Sequence, residues 1–496
     1  MSAHVLACSV PGAYAPPVIR GLAAWKLYLS FFRDQVGALA TFQQRHGALA
    51  SFRDPFSRHR RGFVISGAEL NRQVLGNPEM FHSGSLTISG RRDSVLNRLR
   101  RGMIGSNGQA HRDIRRLVSP LFMPKAVQRY VPRMVEVVRE QLDTWPVGGT
   151  YDVDAHVSRV ALRVAAENLI AGENPEDMLQ LAEMSAGVLK QSFALSVRML
   201  CLNVAGTPFR RLVNNAEKLE RLLLDLVDRR EPCTQDSPNL LDRLISFHRA
   251  EPERLSREDL IGQVFILFAA SHETVTKAVT WSLFLLAQHP RIMAGVHDEL
   301  RCQCDSEPPT MADLEQMPLL DAATKEAMRL LPPVPLSRRV ASAEGELGGL
   351  SVHPGDFAIL NHYATHRDPD VFPEPARFLP ERWFSAMPDR FAYLPFSAGP
   401  RTCIGKVLGT TTINLMVAMI LQRFRLTMQP HCRIDRSYHI TLAPKFGLPM
   451  SVEPQDGRFQ AVPIRGNVHE MVDLSRSEDQ ARVRYRPRPV ALKSAA

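Results

Sequence analysis

The sequence predicts a mainly α-helical fold with a small β-rich lobe, an α+β arrangement, and three observations lead there. Residues 127–250 read as amphipathic helical runs, broken by the Gly-Gly pair near 148 and by Ala205-Gly-Thr-Pro208. The run from about Leu260 to Ala287 is apolar nearly all round, which marks a buried helix rather than a surface one. Short strand-like pieces, Ala48 to Phe52, Gly62 to Ile65, Gly349 to Val352 and Phe357 to Asn361, lie outside the helical stretch.

Along the chain, residues 18–75 mix short helices with the first strand pieces, and Arg91 to Arg101 is a basic helix-like stretch in a Gly- and Ser-containing segment. A helix follows Gly108, with His111 and Arg115 four apart on one face. Met178 to about Val213 is apolar and is expected to be irregular. After Leu331, Pro332-Pro-Val-Pro-Leu336 ends a helix and forces an extended chain. Arg367 to Pro395 is proline-rich and irregular, long enough for a connection to suggest a function. Lys406 to Phe424 is an apolar helical run. One domain is expected over residues 1–455, followed by a polar extension, 456–496, that is disordered beyond about 474.

Bulk properties narrow the class. A chain of 496 residues with 45% hydrophobic content can bury a large core. Its seven cysteines are scattered and odd in number, which argues against a disulfide scaffold and for a reducing compartment. Cys302-x-Cys304 is too close a pair for a zinc knuckle and has no second pair. Residues 1–60 hold no apolar run of the ~20 residues that a membrane helix needs, so a cytoplasmic protein without a transmembrane segment is expected. A shallow membrane contact through Trp25 to Phe32 is a minor alternative. The net charge of +10 is spread along the chain without a nucleic-acid motif, so an acidic protein partner explains it better than nucleic acid.

The most informative stretch is Phe396-Ser-Ala-Gly-Pro-Arg-Thr-Cys-Ile-Gly405. Cys403 stands just before the helical run at Lys406, where a helix N-terminus and an arginine help a thiol to ionise. A lone thiolate held this way can ligate a haem iron, and thiolate ligation favours O–O cleavage over reversible oxygen carriage. Gly399 and Gly405 allow a tight turn and close approach to a flat macrocycle. Arg401 can reach a propionate with its planar fork, and His111 and Arg115 offer two more donors. A second signal is Ala270-Ser-His-Glu-Thr274, ionisable and polar groups in the middle of a buried helix, costly there unless paired or functional. A third is Lys325-Glu-Ala-Met-Arg329, with Glu326 and Arg329 three apart on one helix face.

Together these resemble the cytochrome P-450 family over roughly residues 15–455. The cysteine loop fills every fixed position of the family pattern Phe-x-x-Gly-x-Arg-x-Cys-x-Gly, with Phe396, Gly399, Arg401, Cys403 and Gly405. The resemblance implies a fold enclosing haem b, with Cys403 as the metal ligand and His111, Arg115 and Arg401 on the propionates. Arg338 or Arg339 falls where the family places another propionate arginine, with Arg339 preferred. Glu273 and Thr274 match the acid–alcohol pair that delivers protons to oxygen. Ser271 replaces the family glycine, narrowing the space for oxygen or adding a hydroxyl to the water chain. Glu326, Arg329 and Arg382, from Pro380-Glu-Arg-Trp383, match a structural triad. Ala270, Phe268, Val334 and Leu336 are expected to face substrate.

The implied activity is insertion of one oxygen atom from O2 into an apolar compound, a fatty acid, terpenoid, steroid or polyketide. Electrons come from a ferredoxin or flavodoxin-type donor with its NAD(P)H reductase, and a monomer is expected. Two alternatives stand beside it: a peroxide-dependent or isomerase-type haem-thiolate enzyme, and a non-catalytic haem-binding protein.

Overall fold

A computed structural model of the chain describes residues 18–475, apart from 20, 22–25, 27–28, 32–33, 54–59, 85–89, 91–93, 171–173, 195, 198–200, 231–238, 305–306 and 386. The tail beyond 475 and half of Trp25 to Phe32 lie outside the described residues. Helices dominate, and six of the strands gather in a lobe built from both halves of the chain. Among the described residues, no helix is long and apolar enough to cross a membrane.

Two large apolar clusters form the helical body. One joins helices Pro124–Asp143, Val153–Ile170, Glu273–Ala287, Pro318–Leu330 and Lys406–Arg423. The other joins Gly108–Val118, Pro175–Phe193, Pro208–Arg229, Leu240–Ala250 and Arg257–Ser271. Trp281 and Phe284, with 1% and 0% of their surface exposed, anchor the first cluster, each contributing about 2–3 kcal/mol by burial. The segment after Met178, expected to be irregular, is a regular helix to Phe193. Its apolar residues recur at helical spacing, Leu181, Ala182, Val188 and Leu189 all being buried.

The expected single helix from Leu260 to Ala287 is two helices. The first starts in a capping box, Ser256 with Asp259, and stops at Ser271; the second starts at Glu273. His272 sits between them at φ −98° and ψ −45°. Hydroxyls compete for the carbonyls around the break: Ser271 Oγ donates to the Phe268 carbonyl at 2.9 Å, Thr274 Oγ1 to Ala270 at 3.1 Å and Thr276 Oγ1 to His272 at 2.9 Å. Such back-bonding bends helices.

In the β lobe, six strands run in the spatial order Val18–Ile19, Leu49–Arg53, Arg61–Ile65, Phe357–Asn361, Leu336–Ala341 and Phe81–Ser83. Arg61–Ile65 and Phe357–Asn361 pair in parallel, and Leu336–Ala341 pairs antiparallel with Phe357–Asn361. A second sheet holds Phe424–Met428, Pro449–Pro454 and Gly149–Asp152. The Arg436–Tyr438 and Leu442–Pro444 strands form a hairpin whose turn reaches the helical body: Ile440 packs on the second apolar cluster. Residues beyond 455 continue into the core, where Ile464, Val468, Met471 and Val472 are buried in the first cluster.

Candidate functional site

The cysteine loop is shaped by its backbone. Cys403 N–H donates to the Phe396 carbonyl at 2.8 Å, which closes the loop just before the Lys406–Arg423 helix, capped by Gly405. Gly399 has φ +70°, and a Cβ there would lie 2.3 Å from the Leu75 carbonyl oxygen, so only glycine fits. Gly405 has an ordinary φ of −83°. A Cβ there would make only ordinary contact, 3.9 Å from the Cys403 sulfur and the Phe122 ring. Phe396 packs on the first apolar cluster.

Cys403 is solvent-accessible although its thiol is densely surrounded by protein, the signature of a sulfur facing an internal cavity. Burial pushes the thiol above its ordinary pKa, and the Gly405 N–H and the Arg115 charge offset this only in part. This corrects the expectation that the helix N-terminus would leave it readily ionised: desolvation outweighs both aids. The arginine that acts on the sulfur is Arg115, since Arg401 is turned to the 103–107 loop. There its guanidinium donates to Met103 O at 3.3 Å, to Asn107 Oδ1 at 2.6 Å and to the Ser106 carbonyl.

Four basic groups converge beside this cavity. His111 is held down at about 4 by burial and by the charges of Arg401, Arg115 and Arg112. Burial and a neighbouring guanidinium also depress Arg339 and Arg401, each to about 10. Among the described residues, none of Arg115, Arg339 and Arg401 has a carboxylate partner. Strand alternation separates the two candidate arginines: Arg338 is exposed, its guanidinium 4.0 Å over the Phe357 ring, while Arg339 turns inward towards Arg401. An uncompensated cationic cluster beside an accessible interior sulfur fits a flat dianion with a metal at its centre.

The helix break lies at the edge of the apolar cluster that also receives Ile404 and Leu408 from the cysteine side, Leu267 from the helix and Ile440 from the hairpin turn. Ala270 and Thr274 are half-buried there. The Ser271 proton is committed to Phe268 O, so that hydroxyl shapes the break. Glu273 does not meet Thr274; its Oε1 accepts from Thr441 Oγ1 at 3.1 Å, and its Oε2 lies 3.7 Å from His272 Nε2.

Two expected substrate contacts are placed elsewhere. Phe268 is 1% exposed and looks across a small apolar void at Leu169, Leu240 and Leu244, so it offers no surface to an open chamber. Leu336 is 8% exposed and packs with Phe52, Val64 and Phe357 in the β lobe. Val334 is half-buried, and its carbonyl accepts from His362 Nδ1 at 3.1 Å.

The triad assembles as a buried network. Arg329 Nε and Nη2 donate to Glu326 Oε2 and Oε1 at 2.9 and 2.8 Å, and Arg382 Nε donates to Oε1 at 3.0 Å. Sequence reasoning missed Trp383, whose Nε1 donates to Glu326 Oε2 at 3.0 Å. It also missed His366, which joins the Arg329 carbonyl (3.2 Å, Nδ1 donating) to the Leu394 N–H (2.8 Å, Nε2 accepting). The network thus reaches the segment entering the cysteine loop.

A family model described as Cytochrome P450 matches residues 22–449. The chain belongs to the cytochrome P450 family. It is 30% identical over 431 residues to a cyclooctat-9-en-7-ol 5-monooxygenase of Streptomyces melanosporofaciens, covering 85% of this chain and 90% of that protein. It is 29% identical over 401 residues to the pentalenene oxygenase of Streptomyces avermitilis, covering 78% and 85%. A retinoic acid-bound cyanobacterial cytochrome P450 shares the fold with a TM-score of 0.71 at 24% identity, over 84% of this chain and 93% of that one. This P450 is therefore a haem-thiolate monooxygenase with the α+β fold of its family.

Proposed function

We propose that this P450 oxygenates an apolar terpenoid, with electrons drawn from a separate acidic ferredoxin or flavodoxin-type protein. The observation that carries the substrate class is the uncharged helix face before the break, where Leu267 and Ala270 are half-buried among apolar neighbours. A face of this kind binds by apolar contact and offers no charge to a fatty-acid carboxylate. The relatives named for cyclooctat-9-en-7-ol and pentalenene act on compounds of that class, which supports the choice.

When bound, haem supplies dioxygen activation, and the thiolate's electron donation favours O–O cleavage. Cys403 would ligate the haem iron. His111, Arg115, Arg339 and Arg401 would hold the propionates, which would supply the negative charge the cluster lacks. Phe396, Gly399 and Gly405 would shape the loop that carries the sulfur. Thr274 gives its proton to the Ala270 carbonyl, so its oxygen is left to accept from a water or an acid. Glu273 is the acid that feeds protons towards it, and Ala270 and Val334 border the substrate. Glu326, Arg329 and Arg382 lock the loop that carries the sulfur.

The donor has a matching surface. Arg116, Lys125, Arg129 and Lys406 are exposed and have no carboxylate partner among the described residues. They ride on the helices Gly108–Val118, Pro124–Asp143 and Lys406–Arg423, which pack around the cysteine loop directly or through Ser119–Phe122. Charge of one sign there steers an acidic partner.

A ligand panel tests the substrate class. Cyclic sesquiterpene and diterpene alcohols are expected to shift the haem Soret band at micromolar concentration, with fatty acids of equal carbon number weaker by tenfold or more. The opposite order would reject the terpenoid assignment.

A further inference from the structure

Glu273 is the acid of the proton path proposed above, yet its carboxylate is fastened to a distant part of the chain. Thr441 is 4% exposed and donates its hydroxyl to Glu273 Oε1 at 3.1 Å, across 168 residues of sequence. Thr441 lies in the turn between strands Arg436–Tyr438 and Leu442–Pro444. That turn is tied to the same helix a second time, because Trp281 Nε1 donates to the Leu442 carbonyl at 2.8 Å. The residue before Thr441 is Ile440, which packs against the second apolar cluster, as Leu267 of the broken helix does.

The other groups around the acid leave Thr441 as its one hydrogen-bond donor among the described residues. Lys277 Nζ stands 4.0 Å from Glu273 Oε1, but it is committed to both oxygens of Asp154 on the neighbouring helix, at 2.8 Å each. Thr280 adds a bond to Asp154 at 2.8 Å. His272 Nε2 is 3.7 Å from Glu273 Oε2, too far for a hydrogen bond. Its Nδ1 turns towards the Phe268 carbonyl without the alignment of a full bond. Burial holds that ring below its ordinary pKa, so it is neutral.

We propose that Thr441 is a positioning residue for Glu273: its hydroxyl orients the carboxylate, on a turn whose adjacent side chain, Ile440, packs on the apolar cluster of the broken helix. This rests on Glu273 being the proton-feeding acid. A hydrogen bond to one carboxylate oxygen fixes how the group is turned, so the position of the turn sets where Glu273 can pass a proton. Lys277, Asp154 and His272 form the fixed charge frame around it, and the exposed His439 is the remaining titratable group of the turn.

The test is infrared difference spectroscopy of the full-length holoprotein. The carboxylate bands of Glu273 are assigned by their loss in Glu273→Gln. Thr441→Val is expected to shift those bands as the hydrogen bond is lost, and Thr441→Ser to restore them. Product per NADPH falls in Thr441→Val and recovers in Thr441→Ser, while the ferrous–CO spectrum of both variants stays that of the parent. Glu273 bands in Thr441→Val equal to the parent's overturn the inference. If instead Glu273→Gln couples NADPH to product as well as the parent does, the proton-feeding role of Glu273 fails, and the infrared bands still decide what Thr441 does.

Discussion

Glu326 and Arg329 meet as a bidentate pair with 0% exposure on either side chain, three residues apart on one helix. The pair is satisfied from outside the helix as well. Arg329 Nη1 donates to the carbonyls of His366 and Pro375 at 2.8 Å, and Glu326 Oε1 accepts from the Leu379 N–H at 3.1 Å. One salt bridge thus gathers the irregular 366–383 segment against the helix.

Removing one partner strands the other charge in the interior, which costs about 3–5 kcal/mol. Glu326→Ala is therefore expected to lower the urea midpoint sharply and to yield protein with little haem. Arg382→Ala leaves the Glu326–Arg329 pair standing and should cost less. Equal losses in the two variants would show that the pair is not the centre of the network.

Gly399→Ala asks an L-residue to adopt φ +70° with its Cβ 2.3 Å from the Leu75 carbonyl. Backbone strain of this kind costs on the order of 1–3 kcal/mol. Haem retention should fall in the same variant, because the turn sits directly before Cys403. Gly405→Ala has no such clash with protein, and its effect should appear in the haem spectrum rather than in the stability of the polypeptide.

Removing one cation from the cluster should act with opposite sign on the two forms of the protein. Arg115→Gln relieves like-charge crowding with Arg401, so haem-free protein is no less stable. The same change removes a charge-assisted partner worth about 1.5–3 kcal/mol, so haem transfers faster to apomyoglobin. A variant that retained haem as well as the parent would place the propionates elsewhere.

Acid should destabilise the fold through three buried histidines. Burial depresses His289 and His362 to about 4 and His366 well below 6.5. The unfolded chain, with histidines near 6.5, binds more protons in that window, so stability is fully present above pH 6.5 and is lost as pH falls towards 4. Each histidine contributes up to about 1.4 kcal/mol per pH unit. In urea titrations between pH 7 and 5, His366→Gln should flatten the slope; an unchanged slope would show that His366 is not neutral in the fold.

The parts of the site that were legible in the sequence are those whose chemistry is local. The loop from Phe396 to Gly405 packs its glycines, arginine and cysteine into ten residues, and Glu326 with Arg329 needs only helical spacing. What escaped was long-range or directional. Thr441, Trp383 and His366 acquire their roles only when segments far apart in sequence are brought together. Periodicity showed that Phe268 lies on a buried helix but not which side of an all-apolar helix meets the chamber. Arg338 and Arg339 were separated only by the pleat of a strand that reads as an extended, proline-led stretch. The break at His272 depends on three hydroxyls turning back onto carbonyls, which apolar patterning does not register.

The most direct test of a haem held by the Cys403 sulfur is the ferrous–CO spectrum of Cys403→Ser, with Cys304→Ser as the control thiol. The thiolate-type band is expected to vanish in the first and to stand unchanged in the second. A thiolate-type band that survived in Cys403→Ser would contradict the account at its centre.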